Sequence, residues 1–365
     1  MSDKINILIV DDSAFMRKLI NDFLEDHPRI QVIGTARNGE DAIKKIKELR
    51  PHVVTMDVEM PIMNGLEALK IIMKEIPLPV VMLSSTTREG AENTLIAIQN
   101  GAFDFIAKPS GAISLDLYKI KEELIEKVIS ASRANISRLI GTKIDTLSSV
   151  PKTQNYSKIE LEKSQLKQVN PVWEKKLKKL ICIGTSTGGP RALQNVLTKL
   201  PKGIEAPLFI VQHMPPSFTK SLATRLDSLS EIKVKEAEDG EIVQKGVAYI
   251  APGGFHLKLK QMGTALAIQI DQSPLRNGHR PAVDVLFESI SELQGYAKIA
   301  VIMTGMGTDG SQGLLRLKEN GLVKAIAESQ NTSIVYGMPK AAVATKLIDE
   351  VQDVEKIAET ILKYV

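Results

Sequence analysis

Ile5-Asn6-Ile7-Leu8-Ile9-Val10 is a short, nearly continuous apolar run that stops on two carboxylates, Asp11 and Asp12. A strand with one wet face alternates apolar and polar residues. A run like this one is buried on both faces, as in a parallel sheet covered by helices. The sequence downstream agrees. Strand-like runs at Val32–Gly34, Val53–Met56, Val80–Leu83 and Phe103–Ile106 alternate with amphipathic stretches such as Ala14–Glu25, Gly39–Leu49 and Gly65–Glu75. A further helical pattern carries Leu117, Ile120, Leu124, Ile125 and Val128 and closes a first domain near residue 133. The expectation is a five-stranded, doubly wound α/β domain over residues 1–133.

Apolar periodicity then weakens. Residues 134–176, with the polar stretch Ser148-Ser149-Val150-Pro151-Lys152-Thr153-Gln154-Asn155, read as a linker. Alternation resumes with Leu180–Ile183, Leu208–Val211, Ala248–Ile250, Ala265–Ile270 and Ile299–Met303, and a last helix is expected over Asp353–Tyr364. Leu257–Lys260 and Ala265–Ile270 flank Met262-Gly263-Thr264, which reads as an antiparallel hairpin added to the sheet. Residues 177–365 are therefore a second doubly wound α/β domain.

A chain of 365 residues can bury two such cores. Its net charge of +4 is small and its lysines are spread, and at 4% aromatic residues it lacks a base-stacking platform, so a nucleic-acid partner is not expected. Lys175, Lys176, Lys178 and Lys179 read as a solvated face leading into a strand. The single cysteine, Cys182, lies in an apolar run; it permits no internal disulfide and points to a reducing compartment. With no signal peptide and no apolar run of spanning length, the expected location is the cytoplasm, without membrane insertion.

In an open parallel sheet the loops after the strands converge on one edge. In the first half those strand ends bring together Asp11, Asp12, Asp57, Ser84 and Lys108. Clustered carboxylates require a cation, and oxygen ligands beside a phosphoryl site favour Mg²⁺. One carboxylate can then accept a phosphoryl group whose oxygens the amine and hydroxyl stabilise. Over about residues 4–130 this set resembles the response-regulator receiver family. The resemblance implies that Asp57 is the phosphoacceptor, that Asp11, Asp12, Asp57 and the main-chain carbonyl of Glu59 hold Mg²⁺, and that Ser84 and Lys108 are the switch residues. Ser84 stands where many receivers carry threonine.

In the second half Gly184-Thr185-Ser186-Thr187-Gly188 follows a strand and precedes a helix expected over Pro190–Leu200. That is the context of a G-x-S-x-G nucleophile elbow. Of the five histidines, His27 and His52 adjoin prolines in the first half, and His256 and His279 lie in loops. His213 directly follows a strand, as Ser186 does, and is the expected base. Asp309, after Ile299–Met303, is the expected orienting carboxylate, with Asp284 as second choice. His279 and Arg280 sit in a polar cluster suited to substrate contact, and main-chain N–H groups near Thr187 and Met306 suit an oxyanion. The order Ser, His, Asp differs from that of α/β-hydrolases.

Gly184-Thr185-Ser186-Thr187-Gly188-Gly189, Gln212-His213-Met214-Pro215, Ala251-Pro252-Gly253-Gly254, Gly278-His279-Arg280-Pro281 and Met303-Thr304-Gly305-Met306-Gly307-Thr308-Asp309-Gly310 resemble the catalytic domain of the chemotaxis receptor methylesterase family (CheB). Two positions depart from that pattern: Thr185 replaces the usual alanine and Thr308 the common asparagine. The resemblance implies a serine carboxylesterase that hydrolyses glutamyl methyl esters on chemoreceptors and deamidates receptor glutamines. It also implies a chemotaxis histidine kinase as phosphodonor and no cofactor in the hydrolase domain. The face around Thr86–Ile98 and Phe103–Ser110 is expected to cover the Ser186 cleft at rest. A DNA-binding output would instead need a helix-turn-helix, and an unrelated receiver-linked esterase would share the triad but not the flanking motifs.

Overall fold

The computed structural model describes residues 4–108, 114–140 and 177–365. Pro109, Ser110, Ser148–Asn155, Lys175 and Lys176 lie outside the described residues. The N-terminal half runs β1 (Ile5–Val10), α1 (Ala14–Glu25), β2 (Ile30–Ala36), α2 (Gly39–Leu49), β3 (Val53–Asp57), α3 (Gly65–Glu75), β4 (Val80–Ser84), α4 (Arg88–Gln99), β5 (Asp104–Ala107) and α5 (Ser114–Ala131). Its five strands are all parallel, in the order β2-β1-β3-β4-β5. Each of the first four helices starts on a side-chain cap: Ser13, Asn38, Asn64 and Thr87 accept main-chain N–H groups, and Asn64 with Glu67 forms a capping box. The caps end the loops after β1, β2 and β4 within three residues, while the loop after β3 runs from Val58 to Asn64. Residues 134–140, the start of the expected linker, include a short helix α6 (Ile136–Ile140), with Leu139 buried against the first core.

The C-terminal half begins with β6 (Lys178–Thr185), α7 (Gly189–Leu197), β7 (Leu208–Gln212), α8 (Phe218–Leu229), β8 (Lys233–Glu236) and β9 (Val247–Ile250). It continues with β10 (His256–Met262), β11 (Ala265–Asp271), α9 (Val283–Ser291), β12 (Tyr296–Ile302), α10 (Ser311–Glu319), β13 (Val323–Glu328), α11 (Met338–Ala344), β14 (Glu350–Gln352) and α12 (Val354–Tyr364). Seven parallel strands form one sheet in the order β14-β13-β12-β6-β7-β9-β8. The hairpin β10–β11 is a separate antiparallel pair. It packs on α9, where Ser289 Oγ accepts the Leu259 N–H at 2.8 Å. Cys182 is buried in β6, at the middle of the sheet. Among the described residues no helix is long and apolar enough to cross a membrane.

The two halves pack through α4 and β5 against α7 and α8. Phe105 stacks on Phe218 with ring centroids 4.7 Å apart. Thr187 Oγ1 donates to Asp104 Oδ2 at 2.6 Å, Ser130 Oγ donates to Met306 Sδ at 3.0 Å, and an Arg138 guanidinium N–H donates to the Ser333 carbonyl at 2.7 Å. The face of the first half expected to cover Ser186 is thus in contact with the residue immediately after it.

Candidate active site and phosphoacceptor pocket

Ser186 sits where β6 ends and α7 is about to begin. Gly188, at φ +81°, makes the turn, and Pro190 occupies the first turn of the helix. The Ser186 N–H donates to the Thr304 carbonyl at 3.0 Å. A Cβ on Gly305 would lie 2.8 Å from Ser186 Cβ, so the loop after β12 approaches the serine only because glycine is there. His213 follows β7, and its N–H reaches the Thr185 carbonyl at 3.2 Å.

Asp309 is 2% exposed, and each of its oxygens accepts two hydrogen bonds. Oδ2 accepts from His213 Nε2 at 2.8 Å and from the Val283 N–H at 2.6 Å. Oδ1 accepts from Asn277 Nδ2 at 3.0 Å and from the Asp284 N–H at 3.1 Å. Burial alone would raise this carboxyl's pKa, but His213 and the N–H donors overcome it and hold the group well below the usual carboxylate range. An ionised Asp309 requires the imidazole proton on Nε2. That leaves Nδ1 as the basic nitrogen, and it is buried with no partner among the described residues.

The other expected residues fall into two groups. His279 stacks on His213, centroids 3.8 Å apart, and burial together with His213 pushes its pKa down to about 4. It is neutral at pH 7 and forms one wall of the site. Arg280 Nη1 donates to the main-chain carbonyls of Gln272 and Ser273, both at 3.0 Å, and so pins its own loop, while Nε is buried with no partner among the described residues. Asp284 does not meet His213: it is buried at the start of α9, accepting the Gly310 and Gly313 N–H groups and one from Asn277. Thr187 and Met306 both touch the N-terminal half.

The first sheet gathers its own set. Carboxylate oxygens of Asp11, Asp12 and Asp57 lie within 4.8 Å of one another. Lys108 Nζ reaches Asp11 Oδ2 at 2.8 Å and Asp57 Oδ2 at 2.7 Å. Burial pushes the Asp57 pKa up to about 6, with Asp11 adding to the effect and Lys108 opposing it. Three carboxylates against one ammonium leave an excess of two negative charges on hard oxygen donors, the complement of one divalent cation. The Glu59 N–H points at Asp57 Oδ1 from 3.4 Å. Ser84 Oγ donates to the Gly90 carbonyl at 2.9 Å and so faces α4.

Comparison with known proteins bears on each half of the chain. Residues 181–361 match the family model described as CheB methylesterase, and residues 7–117 match that of the response regulator receiver domain. A protein-glutamate methylesterase/protein-glutamine glutaminase of Geobacillus kaustophilus is 55% identical, over 99% of both chains. One of Bacillus subtilis is 50% identical, over 98% of this chain and 97% of its own. This chain belongs to the CheB methylesterase family. The crystal structure of the Thermotoga maritima CheB methylesterase catalytic domain, 48% identical, covers 52% of this chain and 99% of its own with a TM-score of 0.50.

Several residues around the CheB-type site carry no motif of their own. Asn277 bridges Asp309 and Asp284. Glu328, 1% exposed and pushed up to about 7 by burial, accepts the Thr304 N–H at 2.8 Å and so steadies the loop that holds Ser186. The departure at Thr185 has a physical account: its hydroxyl donates to Gln212 Oε1 at 2.7 Å, while Gln212 Nε2 donates to the carbonyls of Ser186 (3.0 Å) and His213 (3.2 Å). Thr185→Val would leave Gln212 Oε1 buried without that donor. It should cost about 1–3 kcal/mol in urea unfolding and lower turnover, and Thr185→Ser should restore both.

Proposed function

We propose that Ser186, His213 and Asp309 hydrolyse glutamyl methyl esters and glutamine amides of a protein substrate, under the control of phosphorylation at Asp57. The activity is the one named for relatives 50–55% identical over nearly the whole chain. The residue roles rest on the His213 ring, with Nε2 held by Asp309 and Nδ1 buried and unpartnered among the described residues. Nδ1 takes the Ser186 proton as Oγ attacks the side-chain carbonyl carbon, and the carbonyl electron pair moves onto oxygen. Main-chain N–H groups at Thr187 and Met306 receive that oxyanion. His213 then returns the proton to the leaving group, giving methanol from an ester or ammonia from an amide. Water repeats the sequence on the acyl-enzyme and releases a glutamate carboxylate. Asp309 stays ionised throughout and stabilises the imidazolium.

The proposed division is a receiver over 1–133, a linker over 134–176 and a catalytic domain over 177–365. Asp11, Asp12, Asp57 and the Glu59 carbonyl would hold Mg²⁺, which offsets charge on a phosphoryl group at Asp57. Lys108 balances charge there, and Ser84 turns from Gly90 toward the phosphoryl oxygens. The substrates would be methyl-accepting chemoreceptors and the phosphodonor a chemotaxis histidine kinase, all meeting in the cytoplasm. Because α4 and β5 abut Thr187, phosphorylation that reshapes this face would uncover the cleft.

Methanol release from methylated receptor membranes tests the catalytic set. Ser186→Ala and His213→Ala should each abolish nearly all of it in folded protein, while Asp309→Asn leaves a measurable remainder. His279→Ala matching His213→Ala in lost turnover, with substrate binding unchanged, would reassign the base. Control is tested separately. Removing residues 1–170 should raise the basal rate roughly 5- to 150-fold, and phosphorylating the full chain should raise it at least as much. Asp57→Asn or chelation of Mg²⁺ should block both labelling by a small phosphodonor and the stimulation. A truncated enzyme no faster than the resting full chain would refute occlusion.

A further inference from the structure

Arg191 stands on the first turn of α7, five residues after Ser186, and its guanidinium is enclosed by the N-terminal half. Nε donates to the Ile98 carbonyl at 2.7 Å, Nη1 to the Leu139 carbonyl at 3.0 Å and Nη2 to the Ala102 carbonyl at 3.4 Å. Nη2 also reaches the Ile98 carbonyl. Among the described residues every partner is a neutral main-chain oxygen. Among the ion pairs of the described residues, none joins the two halves. Arg225, on α8 at the same interface, meets only the Gln99 side-chain amide oxygen, at 3.2 Å.

A buried guanidinium ordinarily pairs with a carboxylate, because planar bidentate pairing repays its desolvation. Here burial without a counter-charge pushes the group down to about 10. A cation in the first turn is also at the unfavourable end of the helix dipole, and α7 has no acidic residue there to offset it. The carbonyl end of α4 offsets part of this cost, but among the described residues no carboxylate meets the guanidinium. The reaction supplies one. Ester and amide hydrolysis each leave a carboxylate on the substrate, so a segment processed at more than one position becomes anionic.

We propose that Arg191 is a specificity residue: when the N-terminal half moves off, its guanidinium binds carboxylates flanking the target glutamyl group in an acidic protein segment. The proposal rests on the methylesterase reading. It makes one surface serve two occupants, receiver carbonyls at rest and substrate carboxylates in turnover.

The test uses the full chain held phosphorylated by excess acetyl phosphate with Mg²⁺. Two peptides each carry one glutamyl methyl ester, flanked by glutamates in one and by serines in the other. Arg191→Gln should raise KM for the acidic peptide roughly tenfold, leave its kcat unchanged and leave the serine-flanked peptide unaffected. Arg191→Lys should recover part of the loss, and added salt should raise the wild-type KM for the acidic peptide alone. Equal KM changes for both peptides, or none for the acidic one, would reduce Arg191 to a pin for the receiver and overturn the proposal. So would a wild-type enzyme with no preference between the peptides. Wild-type protein that is labelled on Asp57 yet releases methanol from neither peptide would instead overturn the methylesterase reading, and this inference with it.

Discussion

Every strand in both large sheets runs in the same direction as its neighbours, and this constraint governs where chemistry can occur. Parallel strands bury both faces, so few polar groups sit along their length and the reactive ones collect in the loops at the carboxyl edge. Asp11, Asp57, Ser84 and Lys108 meet at one such edge, and Ser186, His213 and Asp309 at the other. The two sites share an architecture and differ in what is placed at the strand ends. One edge carries carboxylates around an amine, the other a hydroxyl, an imidazole and a saturated carboxylate.

The two edges are joined by the strand and helix between them. β5 begins at Asp104, which receives the Thr187 hydroxyl, and ends one residue before Lys108, which holds Asp57. β4 ends at Ser84, whose hydroxyl is bonded to the first turn of α4, and the far end of α4 reaches Arg191 through Ile98. A change at the acidic edge therefore has two routes to the nucleophile loop, each of one element's length. Asp104 also meets Lys127 at 3.4 Å, so the carboxylate beside Thr187 is not left alone in the interface.

The sequence was most legible where one residue type has one physical use. Strand-end acids, the glycine elbow and the histidine after β7 could be placed from position alone, and the structure pairs His213 with Asp309 while Ser186 follows the strand beside β7. Legibility failed where context decides. β8 (Lys233–Glu236) and β14 (Glu350–Gln352) are short and charged, edge strands with no hydrophobic run to announce them. β13 is alanine-rich, which weakens its strand signal. Arg280 reads as a substrate contact because it is basic and beside a histidine; its Nη1 donates to its own loop, a partner that spacing does not reveal. Asn277, Gln212 and Glu328 act through hydrogen bonds to residues distant in sequence, and no spacing reveals such partners.

Among the described residues the guanidinium of Arg191 grips main-chain oxygens alone, at Ile98, Ala102 and Leu139. Such a grip is indifferent to which side chains those positions carry. It depends on the path of the backbone where α4 turns into β5, since moving that turn displaces two of the acceptors together. Substitution can therefore alter the receiver's surface at these positions without loosening the clasp, whereas a shift of the turn can release it with the sequence intact. The clasp measures shape, and shape is what a receiver changes.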